Sequence, residues 1–239
     1  MSSHRTMDTR TSLERLRGLA GFYIRRNLLG RDMPLMASFK LTYRCNLRCA
    51  PCPYHRRADA AGASIGWEAA TAALDALARA GCRIVVFEGG EPLLWRDGER
   101  RFSDLARRAR ERFLCTAATT NGTLPLDVPV DVLWVSLDGM KETHDRLRSG
   151  SFDRVWENLR KPPRGKLLVH FTMNRENWQD LPRLLDALKE RPAVRGVTLQ
   201  LFYPYGQGEE ALALPPAERR EAIGMAIRLK ERGYPIINS

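Results

Sequence analysis

Ser38-Phe39-Lys40-Leu41-Thr42 runs directly into Tyr-Arg-Cys-Asn-Leu-Arg-Cys-Ala-Pro-Cys, residues 43–52. The first five residues alternate polar and apolar side chains, which is typical of a β-strand. The ten that follow lose this period and bring three cysteines within eight residues. The sequence therefore predicts a strand that ends in a cysteine-bearing loop.

Five further β-type runs follow, with helical patterns between them, and this alternation indicates βα units around a parallel sheet. A closed barrel of this type needs eight units. Six units predict an α/β fold that is a partial (β/α)6 TIM-like barrel, open on one side to a bulky substrate. The predicted strands are Ser38–Thr42, Arg83–Glu88, Leu114–Thr119, Asp131–Leu137, Lys166–Met173 and Gly196–Phe202. The predicted helices are Trp67–Ala80, Phe102–Arg112, Phe152–Arg160, Trp178–Arg191 and Pro216–Arg232, with only a short turn after Gly122.

The chain divides into an N-terminal helical extension over residues 1–35, a core barrel over 36–233 and a C-terminal tail over 234–239. Residues Thr11 to Leu29 have a basic amphipathic pattern. Such a helix packs on the domain or makes weak contact with a membrane surface. The tail resembles the start of another strand.

The composition, with 44% hydrophobic and 28% charged residues, is that of a globular protein. The formal net charge of +11 suits nucleic acid, an anionic membrane or an acidic substrate without specifying one. Solvated basic helix faces explain much of it, so we expect no specific nucleic-acid partner. The sequence has no apolar run of transmembrane length and no secretory signal, which predicts a cytoplasmic protein.

Parallel βα barrels carry their working residues in the loops that follow the strands. Glycine or polar residues follow every predicted strand, and we expect these loops to meet on one face. The candidates for cofactor binding are Gly89, Gly90, Glu91, Pro92, Asn121, Ser136, Asp138 and Asn174.

The cysteine run is the strongest chemical signal. Thiolates are the usual ligands of iron–sulfur clusters, and a fully ligated cubane takes four. Cys45, Cys49 and Cys52 supply three, which leaves one coordination position open, as in catalytic metal centres. Cys82 and Cys115 begin later strands at the opposite end, so we interpret both as small buried hydrophobic residues.

Gly-Gly-Glu-Pro, residues 89–92, lets the backbone turn sharply and approach a ligand closely. Glu91 offers a carboxylate to an ammonium group. Taken alone, the motif is equally consistent with a turn that simply ends a strand.

Together, Cys-x3-Cys-x2-Cys after the first strand and Gly-Gly-Glu-Pro after the second resemble the radical S-adenosylmethionine (SAM) superfamily. The resemblance implies that Cys45, Cys49 and Cys52 are catalytic and metal-binding and hold a [4Fe–4S] cluster whose free iron binds SAM. It implies that residues 89–91 meet the methionine end of SAM, and that Ser136 and Asp138 approach its ribose or carboxylate. Asn121 and Asn174 are further SAM-binding candidates.

The resemblance also implies the chemistry. A one-electron donor such as flavodoxin or ferredoxin reduces the cluster, and SAM is cleaved to a 5′-deoxyadenosyl radical. The radical takes hydrogen from, or adds to, an organic substrate that is a lipid, a peptide or a small metabolite. Strand alternation points His170, Thr172 and Asn174 inward, along with Lys40 and Glu88, as substrate contacts or as a structural ion pair.

Two alternatives remain open. A zinc module would use Cys45, Cys49, Cys52 and His55 as a Cys3His set, and the basic charge would suit nucleic acid. A non-catalytic relative would keep the fold as a binding protein.

Overall fold

The computed structural model describes residues 12–52, 54–161, 163–206 and 208–238. The strands are β1 Met36–Thr42, β2 Ile84–Gly89, β3 Arg96–Asp97, β4 Arg100–Arg101, β5 Cys115–Thr120, β6 Val132–Ser136, β7 Lys166–Met173 and β8 Val194–Leu201. The α-helices are α1 Ser12–Tyr23, α2 Trp67–Arg79, α3 Phe102–Arg110, α4 Lys141–Leu147, α5 Phe152–Asn158, α6 Leu181–Ala187 and α7 Pro216–Glu231.

Six strands form one sheet in the order β1-β2-β5-β6-β7-β8, and every neighbouring pair is parallel. β3 and β4 form a separate short antiparallel hairpin. Because all six sheet strands run the same way, the loops after them meet at one edge, as the strand-end argument requires. The predicted α/β partial barrel is confirmed.

One face of the sheet packs against the helices and forms the core. On β7 the side chains of Leu167, Val169 and Phe171 are fully buried there, while His170 faces the other way and bonds across to β8. Strand side chains alternate between faces, so the opposite face of the sheet is left to line the barrel interior. This is the split that the alternation on this strand predicted.

The main departure from the predicted elements is α4. Its sequence, Lys-Glu-Thr-His-Asp-Arg-Leu, has too few apolar residues for a periodic pattern, and only His144 and Leu147 are buried. The single predicted helix over Trp178–Arg191 is instead α6 with a 3-10 turn on each side. At the N-terminus, α1 ends at Tyr23 and a π-helical turn over Ile24–Leu28 follows it, where a single helix to Leu29 was predicted. The remaining predicted strands and helices differ from the observed boundaries by at most two residues.

The N-terminal element lies against the amino end of the sheet. Gly18 packs so tightly on Leu114 that an added Cβ would stand 2.7 Å from it, and Phe22 is buried. Leu13, Leu16 and Leu28 are exposed instead of covered, and residue 11 of the predicted helix lies outside the described part. None of the described helices is both long and apolar enough to span a bilayer.

The C-terminal residues hydrogen-bond to β8 in parallel. Val197 N–H donates to the Pro235 carbonyl and Ile237 N–H to the Val197 carbonyl, both at 2.8 Å. The Asn238 side chain bonds both backbone groups of Leu199. The division into residues 1–35, 36–233 and 234–239 stays a prediction.

Candidate active site

A cavity of about 270 Å3 opens at the carboxyl ends of the strands. All three clustered cysteines line it, so the loop after β1 meets the loops after the neighbouring strands there. The other residues of its wall are Leu47, Tyr54, His55, Glu88, Gly89, Gly90, Thr119, Thr120, Asn121, Ser136, Arg148, Gln200 and Tyr205.

The cysteine thiols sit in a partly dehydrated loop. Burial raises the pKa of Cys45, whose sulfur accepts hydrogen bonds from Leu47 N–H and from the Asn121 amide at 3.4 and 3.7 Å. Burial raises the pKa of Cys49 to about 11, although the nearby Arg148 guanidinium opposes this rise. The thiolate, and not the thiol, is the form that binds metals, so a nearby cation that stabilises the thiolate favours metal binding.

The zinc interpretation needs its ligands to converge on one ion. Within the described residues, no group of three or more histidine, cysteine, aspartate or glutamate side chains is placed to do so. A cubane binds each thiolate at a separate iron and therefore needs them farther apart. The geometry thus gives no support to the Cys3His alternative.

Gly89 and Gly90 approach the cysteine loop more closely than any other residue type allows. Gly89 has φ +142, and a Cβ there would stand 2.3 Å from the Thr42 carbonyl oxygen. At Gly90 the same atom would stand 2.4 Å from the Arg44 carbonyl. Glycine is therefore required at both positions for this loop to lie against the cysteine loop.

Glu91 is fully buried and does not line the cavity. Its carboxylate accepts hydrogen bonds from Leu93 N–H, Asn121 N–H and the Thr120 hydroxyl, at 3.1, 2.7 and 2.8 Å. Burial nevertheless raises its pKa to about 7. Glu91 therefore joins the loop after β2 to the loop after β5, and its oxygens already have partners.

Asp138 is also fully buried and holds the loops on the other side of the cavity. It accepts from Thr172 N–H at 2.8 Å and forms an ion pair with Arg148 through Nε. The carboxylate holds the pKa of Arg148 above its usual range despite burial. Arg148, and not Asp138, reaches the cavity wall.

The remaining predicted residues divide between wall and support. Asn121 and Ser136 line the cavity. Pro92 is buried in the 3-10 turn after Glu91. Asn174 is fully buried and braces its own loop, since its amide oxygen accepts from Glu176 N–H.

The interior face beside the cavity is polar. His170 bonds Thr198 and Gln200 through its two ring nitrogens, at 3.0 and 2.9 Å, and burial lowers its pKa. The ammonium of Lys40 lies 4.9 Å from the centre of the Tyr54 ring. Glu88 accepts a hydrogen bond from Ser38, so Lys40 and Glu88 have different partners.

Three residues of this region were missed by sequence reasoning: Thr120, His144 and Arg148. Thr120 supplies a donor to Glu91, His144 accepts from Asp138 N–H, and Arg148 enters the cavity wall. His144 lies in α4 and Arg148 directly follows that helix, four residues later, in the segment after the Ser-Leu-Asp-Gly stretch. That spacing was the available signal.

The cavity suits an iron–sulfur cluster and a small polar ligand. It offers three soft thiol donors, two glycines that admit a ligand to the backbone, and a buried cation. The Nδ1 atom of His55, on the same wall, is buried without a hydrogen-bond partner, as expected where a polar ligand belongs.

These features define a class: parallel βα barrels with a cysteine-rich loop after the first strand and a glycine-rich loop after the second. The family model described as "Radical SAM superfamily" matches residues 39–188. The chain belongs to the radical SAM superfamily, as its motifs predicted. Members of this family use a [4Fe–4S] cluster and SAM.

Two curated relatives are similar to this chain over most of its length. The Fe-coproporphyrin III synthase of Methanosarcina barkeri is 30% identical over 223 residues, which cover 86% of this chain and 55% of the relative. The pre-heme d1 synthase of Dinoroseobacter shibae is 28% identical over 220 residues, covering 83% and 52%. The chain thus spans about half the length of these relatives.

Solved structures confirm the fold. SuiB of Streptococcus suis bound to S-adenosylmethionine superposes with a TM-score of 0.70 at 16% identity, covering 88% of this chain and 52% of SuiB. Methylornithine synthase superposes with a TM-score of 0.60 at 16% identity, covering 95% and 71%. At these identities the likeness concerns the fold alone.

Proposed function

We propose that this chain is a radical SAM enzyme in which Cys45, Cys49 and Cys52 hold a [4Fe–4S] cluster. The observation that carries the proposal is that all three thiols line one cavity with Gly89 and Gly90. When bound, the cluster supplies one electron for reductive cleavage of SAM to methionine and a 5′-deoxyadenosyl radical. A flavodoxin or ferredoxin would deliver that electron.

The chain's own residues then position SAM. The backbone of Gly89 and Gly90 accommodates its methionine end, because no side chain separates them from the cysteine loop. Ser136 and Arg148, a hydroxyl and a cation on the wall, suit the carboxylate. Glu91 and Asp138 act one step back, since both are buried and hold the loops that carry the wall.

The substrate lies over the polar interior face near His170, Glu88 and Gln200. Three relatives are named for products of the heme class: Fe-coproporphyrin III synthase, AdoMet-dependent heme synthase and pre-heme d1 synthase. A flat ring with carboxylate side chains suits the mouth, where Tyr54 lies between Tyr43 and Tyr205 with Lys40 over its ring. We infer a tetrapyrrole carboxylate as the substrate class.

The enzymatic proposal is tested by anaerobic reconstitution with iron and sulfide, followed by dithionite reduction with SAM. We expect a brown protein with four irons per chain, as a cubane requires, that releases 5′-deoxyadenosine. Cys49→Ala should abolish both properties. Cys82→Ala, at a buried cysteine outside the cavity, is the matched control and should retain both. Absence of 5′-deoxyadenosine from a protein that holds the cluster would reject the enzymatic function.

The substrate class is tested separately by titrating coproporphyrin III into the reconstituted protein and following its Soret band. Saturable binding that weakens at least tenfold in Lys40→Glu is the expected result. The exposed Lys161 lies outside the cavity wall, and Lys161→Glu provides the control. Equal binding by both variants would exclude this mode of recognition.

A further inference from the structure

Arg148 is a nearly buried cation beside the cysteine loop. It follows α4 directly, only 14% of its side chain is exposed, and it lines the cavity with the three clustered cysteines. Its Nε donates to the Asp138 carboxylate. No role in cluster binding follows from that ion pair alone, because a buried guanidinium needs a counter-charge in any case.

The ion pair is oriented, with its positive end toward the sulfurs. Arg148 lines the cavity together with Cys45, Cys49 and Cys52, whereas the Asp138 side chain is fully buried and does not reach the cavity wall. The guanidinium, and not the carboxylate, therefore shares the cavity with the sulfurs. In so dry a site its field is weakly screened.

The backbone fixes this position against the cysteine loop. Ala50 N–H donates to the Leu147 carbonyl at 2.9 Å, and Arg48 N–H donates to the Ser149 hydroxyl at 3.0 Å. Ser149 has φ +56, a left-handed conformation that residues other than glycine seldom adopt. These contacts keep the cation and the sulfurs in register.

A second set of bonds holds the carbonyl side of Arg148. His144 accepts from Asp138 N–H at 3.1 Å through Nδ1, and its Nε2 lies 3.0 Å from the Ser151 hydroxyl. Ser151 in turn donates to the Arg148 carbonyl at 2.7 Å. His144 thus holds the backbone of both members of the ion pair, directly at Asp138 and through Ser151 at Arg148.

We propose that Arg148 is an electrostatic positioning residue that raises the reduction potential of the cluster held by Cys45, Cys49 and Cys52. The inference rests on the proposed function. Uptake of one electron makes a cluster more negative by one charge, so a fixed cation beside its ligands stabilises the reduced form more than the oxidised form. Local charge and hydrogen bonding are recognised determinants of these potentials.

The test is a redox titration of the reconstituted protein without SAM, with dithionite as the electron source and iron content measured in parallel. Arg148→Gln should hold the cluster but lower the ratio of reduced to oxidised cluster about tenfold at a fixed potential, which is about 59 mV for one electron. Arg148→Lys should restore part of this loss because it keeps the charge. The control is Arg146→Gln, at a residue of α4 that is exposed and paired with Glu176, and its midpoint potential should equal that of the wild type.

Asp138→Asn provides a result of opposite sign. It removes the opposing negative charge, so the midpoint potential should rise, and it carries the test if Arg148→Gln fails to retain a cluster. A wild-type midpoint in Arg148→Gln with normal iron content would overturn the proposal, as would a fall or no change in Asp138→Asn. Failure of the wild-type protein to hold any cluster would instead reject the proposed function.

Discussion

Two buried carboxylates, Glu91 and Asp138, flank the cavity and differ in the charge of their partners. Glu91 joins the loops after β2 and β5 through three uncharged donors. Asp138, in the loop after β6, bonds to the Thr172 N–H of strand β7 and to the Arg148 guanidinium at the end of α4. Burial raises the pKa of Glu91, which has no directly bonded cation, to about 7, whereas the Asp138 carboxylate is bonded to the Arg148 guanidinium. Neighbouring segments are therefore held together by a carboxylate with uncharged donors on one side of the cavity and by an ion pair on the other.

The largest expected effect follows from breaking the ion pair. Asp138→Asn leaves the Arg148 guanidinium in a dry site without its partner, and such losses cost about 3 to 5 kcal/mol of unfolding free energy. Urea unfolding of the reduced apoprotein measures it. Asp153→Asn, at an exposed carboxylate paired with Lys141, should change stability by less than about 1 kcal/mol. Similar losses in both variants would mean that the pair at Asp138 contributes no more than a surface pair.

The contribution of Glu91 to the free energy of unfolding should fall as pH rises. Its folded pKa lies above the ordinary value of 4.5, so the protonated form favours folding, and that contribution is lost between about pH 4.5 and 7. A shift of this size corresponds to about 3 kcal/mol. The decline should appear in the difference between wild type and Glu91→Gln, each unfolded in urea across this range. A difference independent of pH would contradict the assignment.

On the other side of the cavity, the contribution of His144, which bonds to Asp138 N–H, should fall as pH is lowered. Burial lowers the pKa of this imidazole from 6.5 to about 4, so its contribution is present above pH 6.5 and is lost as pH falls toward 4. The expected loss is about 3 kcal/mol, the same as for Glu91, because the two shifts are of equal size. His144→Asn keeps an acceptor for Asp138 N–H but does not titrate, so its stability should fall less with acid. Equal acid sensitivity in the two proteins would refute this origin.

The smallest effect is expected at Thr120. Thr120→Val keeps the side-chain shape but removes the hydroxyl that donates to Glu91 and accepts from Gly122 N–H, which costs about 1 to 2 kcal/mol. The pKa of Glu91 should rise further, because one donor to the carboxylate is lost. The pH range of instability would then extend upward from that of wild type. Thr71→Val, on the outer helix α2 where the hydroxyl bonds only to backbone carbonyls, should leave that range unchanged.

Much of the fold was predictable because strand and helix periods are local properties of the chain. The run Lys166–Met173 is apolar over Leu167–Val169 and alternates from Val169 to Met173, and this strand was predicted with the boundaries that it has. α4 was missed because it is held by two buried residues and by the polar contacts of His144, none of which produces an apolar period. A helix this short is marginal in isolation, and within a protein it gains most of its stability from tertiary packing.

The sequence by itself determined the family, the parallel barrel and the proximity of the three cysteines to the glycine turn. These features depend on the spacing of residues that are close together along the chain, so they can be recognised without the structure. Only the tertiary structure decided which side chains form the cavity wall and which support it. Glu91 and Asp138 both follow strands, yet both point into the protein, and Arg148 takes the place on the wall. That outcome depends on how adjacent loops share hydrogen bonds and charge, and such partners are distant in sequence.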